Sequence, residues 1–251
     1  ATGRAIDLAT LAGAPLYVVH LTCREALERV QAARVRGLPV FAETCPQYLV
    51  LDESMIDTPD FEGAKFVCSP PLRHKSHQAH LWAGLRSGFL SVVGSDHAPF
   101  NFKGQKELGR DNFLLIPNGL PGSETIVPVL YSEGVRKGRI TLHDLVSLVA
   151  TRPARLFGVF PEKGTLAVGS DADVMILDPE RRVVLGRETL HHRVDYSPYE
   201  GMEVRGVPVA TLSRGVFLFR DGEITAPPGH GRFLVRRRSA AFEALADHPS
   251  G

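Results

Sequence analysis

The sequence predicts an α/β fold carrying a small β-sandwich, and three observations support this. Through about residue 100, continuously apolar runs alternate with amphipathic stretches, the rhythm of strands buried on both faces and separated by helices. From Lys163 onward the texture changes to short strands broken by turn residues, as in "GTLAVGSDADVMILDP", "RRVVLG" and "GVPVATLSRGVFLFRDGE". The length of 251 residues, 43% hydrophobic and 23% charged, suits one large α/β domain with an appendage.

"ATGRAIDLATLAG" reads as an amphipathic helix with Ala5, Leu8 and Leu11 on one stripe. "APLYVVH" is an apolar strand that ends at His20. "REALERVQAARVRG" has helical periodicity and is closed by Gly37. "LPVFAETC" is a second strand. A long connection leads through "FVCSPPLR" to the helix "KSHQAHLWAGLRSG" and the third strand, "LSVVG". After Asn101 the period lapses into a loop, and helices return with "TIVPVLYSEGVRKG" and "TLHDLVSLVATRPARLFG". The expected divisions are a strand–helix part over 1–160, β-sandwich strands over 161–232, and a carboxyl-terminal arm over 233–251. Asp221–Gly222 marks a turn.

A net charge of +1 offers no steering towards nucleic acid or an anionic membrane. No apolar run approaches the roughly 20 residues of a membrane helix, and no signal peptide is visible. Cys23, Cys45 and Cys68 have no CxxC spacing, and an odd count argues against a disulfide framework, which points to a reducing cytoplasm.

In parallel α/β folds, functional side chains gather at the carboxyl ends of strands. His20 ends one strand and Asp96 another, so both are expected at one mouth. A buried strand that delivers a carboxylate and then His97 needs a partner for them. His97 reads equally well as a loop residue or as support for a metal-bound group. Other clusters have plainer explanations. His74, His77 and His80 read as a solvated helix, His191–His192 and Arg236–Arg238 as surface, and the "GSDAD" of Gly169–Asp173 as a turn. "IPNGLPG" around Asn118 can bring bare backbone close to a ligand, or simply form a turn capped by Ser123. "SPPLR" is a rigid turn headed by Ser69.

Taken together, "LYVVHLT", "ETCPQYL", "FVCSPPLR", "GSDHAPFN", "QKELGRDNFLLIPNG", "GTLAVGSDADVMILDP" and "YEGMEVRGVPV" resemble the dihydropyrimidinase (D-hydantoinase) family of cyclic amidohydrolases. The resemblance implies a (β/α)8 barrel with a β-sandwich built from both chain ends. It implies two zinc ions bridged by a carbamylated lysine, with His20 and Asp96 as metal ligands and Asp96 as the catalytic acid–base. Ser69 and Asn118 match positions whose backbone groups hold a cyclic amide or imide substrate. Hydrolysis of dihydropyrimidines or hydantoins to N-carbamoyl amino acids, and a homotetramer or dimer, are implied with them.

The chain departs from that pattern ahead of His20, where it has neither an HxH pair nor a lysine; its first lysine is Lys65. A whole barrel takes about 250 residues, and only three strand–helix units are legible. The chain is therefore expected to be the carboxyl-terminal portion of such an enzyme, a partial barrel inactive on its own. The alternatives are a dihydroorotase or allantoinase-type cyclic amidohydrolase and a non-catalytic dihydropyrimidinase-like scaffold.

Overall fold

The computed structural model describes residues 1–237 and Ser239. Three short parallel strands, β1 (Leu16–Val18), β2 (Val40–Thr44) and β3 (Val92–Val93), form one sheet in the order β1-β2-β3. The register sets Leu16 beside Val40, Val18 beside Ala42, and Thr44 beside Val93. Parallel neighbours require crossover connections, and these are helical. Helix α1 (Thr2–Leu11) precedes β1, α2 (Arg24–Val35) joins β1 to β2, and α3 (Pro46–Val50) and α4 (Ser76–Arg86) lie between β2 and β3.

The sequence signals act locally as expected at α2. Gly37 adopts φ +79°. Its N–H bonds to the Arg34 carbonyl and the Leu38 N–H to the Ala33 carbonyl, the paired bonds of a Schellman stop. Helix α4 packs on α2 through Gly84, where a Cβ would sit 2.9 Å from a Leu27 methyl.

Helix α1 differs from its reading. It buries Ile6, while Leu8 and Leu11 of the expected apolar stripe are 57% and 85% exposed. The helix packs chiefly on α2 and β1, and that packing leaves Leu8 and Leu11 uncovered.

After β3 the chain runs through turns to α5 (Ile126–Val129), which continues as a π-helical stretch over Leu130–Val135. The N-cap position is Thr125, not the expected Ser123, and its hydroxyl donates back to the Gly122 carbonyl rather than capping the helix. Helix α6 (Leu142–Val146) starts at a Thr141–Asp144 capping box. It widens to π geometry over Ser147–Thr151 and resumes as α7 (Arg152–Leu156). The widened turn leads into Pro153, which has no N–H to give to the preceding turn.

The second sheet is antiparallel, in the order β4 (Val174–Val184), β5 (Glu203–Ser213), β6 (Val216–Arg220) and β7 (Glu223–Ile224). Two stretches read as separate strands are one, β4, with a break in register between Asp178 and Arg182. Pro179 lies in that break, and the Asp178 carboxylate accepts the N–H groups of Glu180 and Arg181. The Asp221–Gly222 turn has positive φ at both residues, and so does the unanticipated Arg214–Gly215 turn between β5 and β6.

Among the described residues this is a single sheet, one layer of the expected sandwich. Strand β5 packs on the α5 segment. Gly206 (φ +91°) lies so close to the Tyr131 ring that a Cβ would fall 2.0 Å from it. One buried cluster runs from Ile6 through Leu81 and Leu130 to Val204 and Val207, so both sheets share a core.

Of the arm, Phe233 and Val235 are 91% and 76% exposed. The Arg237 N–H bonds to the Gly158 carbonyl, and the Ser239 hydroxyl bonds to the Arg155 carbonyl. Arg238 and Phe242 lie outside the described residues. Among the described residues, no helix is long and apolar enough to cross a membrane.

Candidate functional site

The parallel sheet delivers His20 two residues beyond β1 and Asp96 three beyond β3, at the same end of the sheet. Both residues are left-handed, with φ +38° and +47°. For non-glycine residues this conformation costs free energy and clusters at functional sites. Thr44, fully buried at the end of β2, joins the two strand ends. Its hydroxyl donates to the Leu21 carbonyl at 2.7 Å and its carbonyl accepts the Gly94 N–H at 3.0 Å, while the Leu21 N–H bonds to the Glu43 carbonyl. Thr44→Val keeps the shape but leaves the buried Leu21 carbonyl short of a donor. We expect it to cost about 1–2 kcal/mol in urea unfolding; wild-type stability in that variant would show that the staple is dispensable.

Cys45 follows Thr44 into the mouth, and Tyr48 and Cys68 lie close by. Burial, then the charges of Glu43 and Asp96, push the Cys45 thiol well above its ordinary range. Burial does the same to Tyr48, which is also raised by Asp96 and donates to the Pro70 carbonyl at 2.9 Å. Burial raises Cys68 too. Asp96 thus stands as an exposed carboxylate beside groups held neutral. Inside the sheet, the Tyr17 hydroxyl donates to the Glu43 carboxylate at 2.6 Å, and the Glu43 head lies so close to Gly94 that a Cβ there would come within 2.8 Å of it.

Ser69 and Asn118 are exposed on neighbouring loops. The Val67 carbonyl accepts both the Gly119 N–H (3.1 Å) and the Lys106 ammonium (2.9 Å), and the ammonium also reaches the Pro117 carbonyl (3.1 Å). The Asn118 side-chain amide donates to the Ile116 carbonyl. Beyond Asp96, the Ala98 N–H bonds to the Leu120 carbonyl. Three loops, carrying Asp96, Ser69 and Asn118, are therefore cross-tied. His20 lines a neighbouring cleft of about 600 Å³ with Tyr17, Pro70 and Arg73; the other three residues lie outside that lining.

His97 turns its Nδ1 to accept the Gly122 and Ser123 N–H groups at 3.0 and 3.3 Å, which places its ring proton on Nε2. The three spaced histidines do not converge. His74 pairs with Ser76, the His77 Nδ1 accepts the Arg24 N–H at the start of α2, and His80 is exposed. The "GSDAD" turn is also an ionic knot: Lys163 pairs with Asp171 and Asp173, and Arg232 with Asp171.

His191, read as surface, instead joins the helical region to the antiparallel sheet. Its Nδ1 meets Glu124 at 2.6 Å and its Nε2 meets the Gly222 carbonyl at 3.0 Å, an arrangement that favours the doubly protonated ring. The hydrogen bond to Glu124, then that to Gly222, raises its pKa. A raised folded pKa gives stability that is complete below the unfolded value near 6.5 and is lost as pH climbs through the folded value. The tie is partly exposed and worth about 0.5 kcal/mol or less. The stability advantage of wild type over His191→Gln should therefore shrink as pH rises above about 6.5; an advantage constant with pH would disprove the protonated link.

His20 and Asp96 offer an imidazole nitrogen and a carboxylate oxygen, donors that suit zinc. Among the described residues, however, no three His, Cys, Asp or Glu side chains are placed to hold an ion. The described residues by themselves do not meet the three-ligand requirement of a catalytic zinc.

Lys106, Thr44 and Tyr48 were all missed as separate residues. Each lies in a stretch that carried the resemblance, but nothing in its spacing marks a lysine in a glycine-rich loop as fully buried.

The chain, with a strand-end histidine and aspartate on a parallel sheet beside an antiparallel one, belongs to the Amidohydrolase family, whose sequence pattern matches residues 8–218. Its strand–helix units are thus part of an amidohydrolase barrel. Within the family it is similar to the D-hydantoinase of Geobacillus stearothermophilus, 55% identical over 247 residues, which are 98% of this chain and 52% of that protein. The D-phenylhydantoinase of Escherichia coli O1:K1 is 47% identical over 94% of this chain and 51% of its own length. The crystal structure of dihydropyrimidinase from Brevibacillus agri NCHU1002 superposes with a TM-score of 0.93 at 54% identity, covering 94% of this chain and 51% of that one. The chain spans about half the length of the curated relatives it matches.

Proposed function

We propose that this chain is the carboxyl-terminal portion of a cyclic amidohydrolase that opens dihydropyrimidine or hydantoin rings to N-carbamoyl amino acids. In this reading, residues 1–160 are the last barrel units, 161–232 the sandwich part and 233–251 an arm at a subunit contact. The observation that carries it is the placement of His20 and Asp96 at the same end of one parallel sheet, on the strands flanking β2, in a chain 55% identical to a D-hydantoinase.

Water adds to the ring carbonyl carbon, the C–N bond breaks, and one proton must travel from the water to the departing nitrogen. Asp96, an exposed carboxylate at the mouth, is the group that takes and returns that proton. Backbone groups of Ser69 and Asn118, on loops already tied together, hold the imide edge of the ring and orient its carbonyl. His97 holds the start of the segment after Asn118 in place through Gly122 and Ser123.

The cofactor assigned in this reading is a pair of zinc ions with a carbamylated lysine; His20 and Asp96 are the described residues that would hold it, and it would supply an activated water at neutral pH. Three free cysteines suit a reducing cytoplasm. The complete protein is assigned as a homotetramer or dimer.

The test is ring opening by the complete protein, followed through release of the N-carbamoyl product. Hydantoin and dihydrouracil should be hydrolysed well ahead of dihydroorotate and allantoin. Preference for dihydroorotate or allantoin would move the chain to another branch of the family, and inertness towards all four would favour a scaffold.

A further inference from the structure

Lys106 is fully buried, and among the described residues no carboxylate pairs with its ammonium. Burying an ammonium ion without a counter-charge costs several kcal/mol that an apolar side chain would not. Burial holds its pKa down to about 8, with the nearby Cys68 opposing that shift. The location of the side chain gives this expense a purpose. Its Nζ donates to the Val67 and Pro117 carbonyls at 2.9 and 3.1 Å, and the Gly119 N–H donates to the same Val67 oxygen at 3.1 Å. Ser69 lies two residues beyond Val67, and Asn118 lies between Pro117 and Gly119. The ammonium therefore bridges, from a fully buried position, the two loops whose backbone groups are assigned to the ring. At its own base, the Lys106 N–H bonds to the Asn101 carbonyl, and Asp195 accepts the N–H groups of Phe102 and Lys103. The bridge thus rests on an anchored loop.

We propose that Lys106 is a positioning residue that fixes the spacing between the Ser69 and Asn118 loops and thereby sets affinity for the cyclic amide, although it touches no substrate. This rests on the ring-opening function proposed above. A group that only spaces the binding loops alters substrate binding more than the chemical step, so its loss belongs mainly in KM.

The experiment compares Lys106→Met, which fills the space without donating, with Val204→Ala, a core truncation in β5 of the antiparallel sheet that lowers stability elsewhere. Steady-state ring opening is measured in the complete protein, and amide exchange at Gly119 in both that protein and the 251-residue chain. Lys106→Met should raise KM about tenfold with kcat changed less than about threefold. It should also speed Gly119 exchange at least tenfold, while Val204→Ala leaves both unchanged. If Lys106→Met does not fold, Lys106→Gln, which is shorter and offers a neutral amide in place of the ammonium, takes its place and should shift both readouts in the same direction. A KM within twofold of wild type, or equal changes in the two variants, would overturn the positioning role. If the wild-type complete protein opens no ring, the proposed function falls and the spacing role is judged on Gly119 exchange alone, where wild-type protection in the Lys106 variant refutes it.

Discussion

Asp96→Asn in the complete protein should lower kcat/KM by about 10²–10⁴-fold, the range that a positioned acid–base group contributes, and leave the fold intact. Both halves of that expectation come from the local structure. Asp96 is exposed, so the substitution opens no cavity. It adopts φ +47°, and asparagine tolerates the left-handed region at least as well as aspartate, so the backbone of the mouth is kept. What disappears is a carboxylate that can accept a proton from water and return it to nitrogen. Ring opening followed by product release, with circular dichroism and a thermal melt on the same samples, separates the two effects. Near-normal turnover would remove Asp96 from the mechanism, and lost activity together with a collapsed melt would show the residue to be structural.

The 251-residue chain alone should bind less than stoichiometric zinc after dialysis and show no measurable ring opening. Its described residues contain no three-ligand cluster, and its first lysine, Lys65, pairs with Glu62 rather than standing at a strand end. Strand β1 is the edge of the parallel sheet, and Val19 beside it is 46% exposed. An uncovered edge invites pairing with another chain, so self-association should accompany the lack of activity. Metal analysis, sedimentation and a ring-opening assay on one preparation test all three points. Stoichiometric zinc with turnover would show that ligands are supplied from within the chain. Among the spaced histidines, the donor to join His20 and Asp96 would then be sought first at the exposed His80, because the Nδ1 atoms of His74, His77 and His97 are already engaged.

Much of this molecule was determined by sequence alone. The period of most apolar runs specified strand or helix, although Leu166–Val168 forms no strand, and Gly37 specified its helix stop and Asp221–Gly222 its hairpin, because these depend on the residues' own backbone preferences and on neighbours a few positions away. The strand-end positions of His20 and Asp96 follow from the same local logic, since an apolar run that ends in polar residues marks where a buried strand surfaces. The outward face of α1, the joining of "VMILDP" and "RRVVLG" into one bent strand, and the interior location of Lys106 were settled only in three dimensions. Each depends on which distant segment arrives as a neighbour: a surface to cover Leu8, β5 to pair across the Asp178–Arg182 break, and the Val67 and Pro117 carbonyls converging on one ammonium. Those burials and hydrogen bonds join segments far apart in the chain, and no periodicity records them.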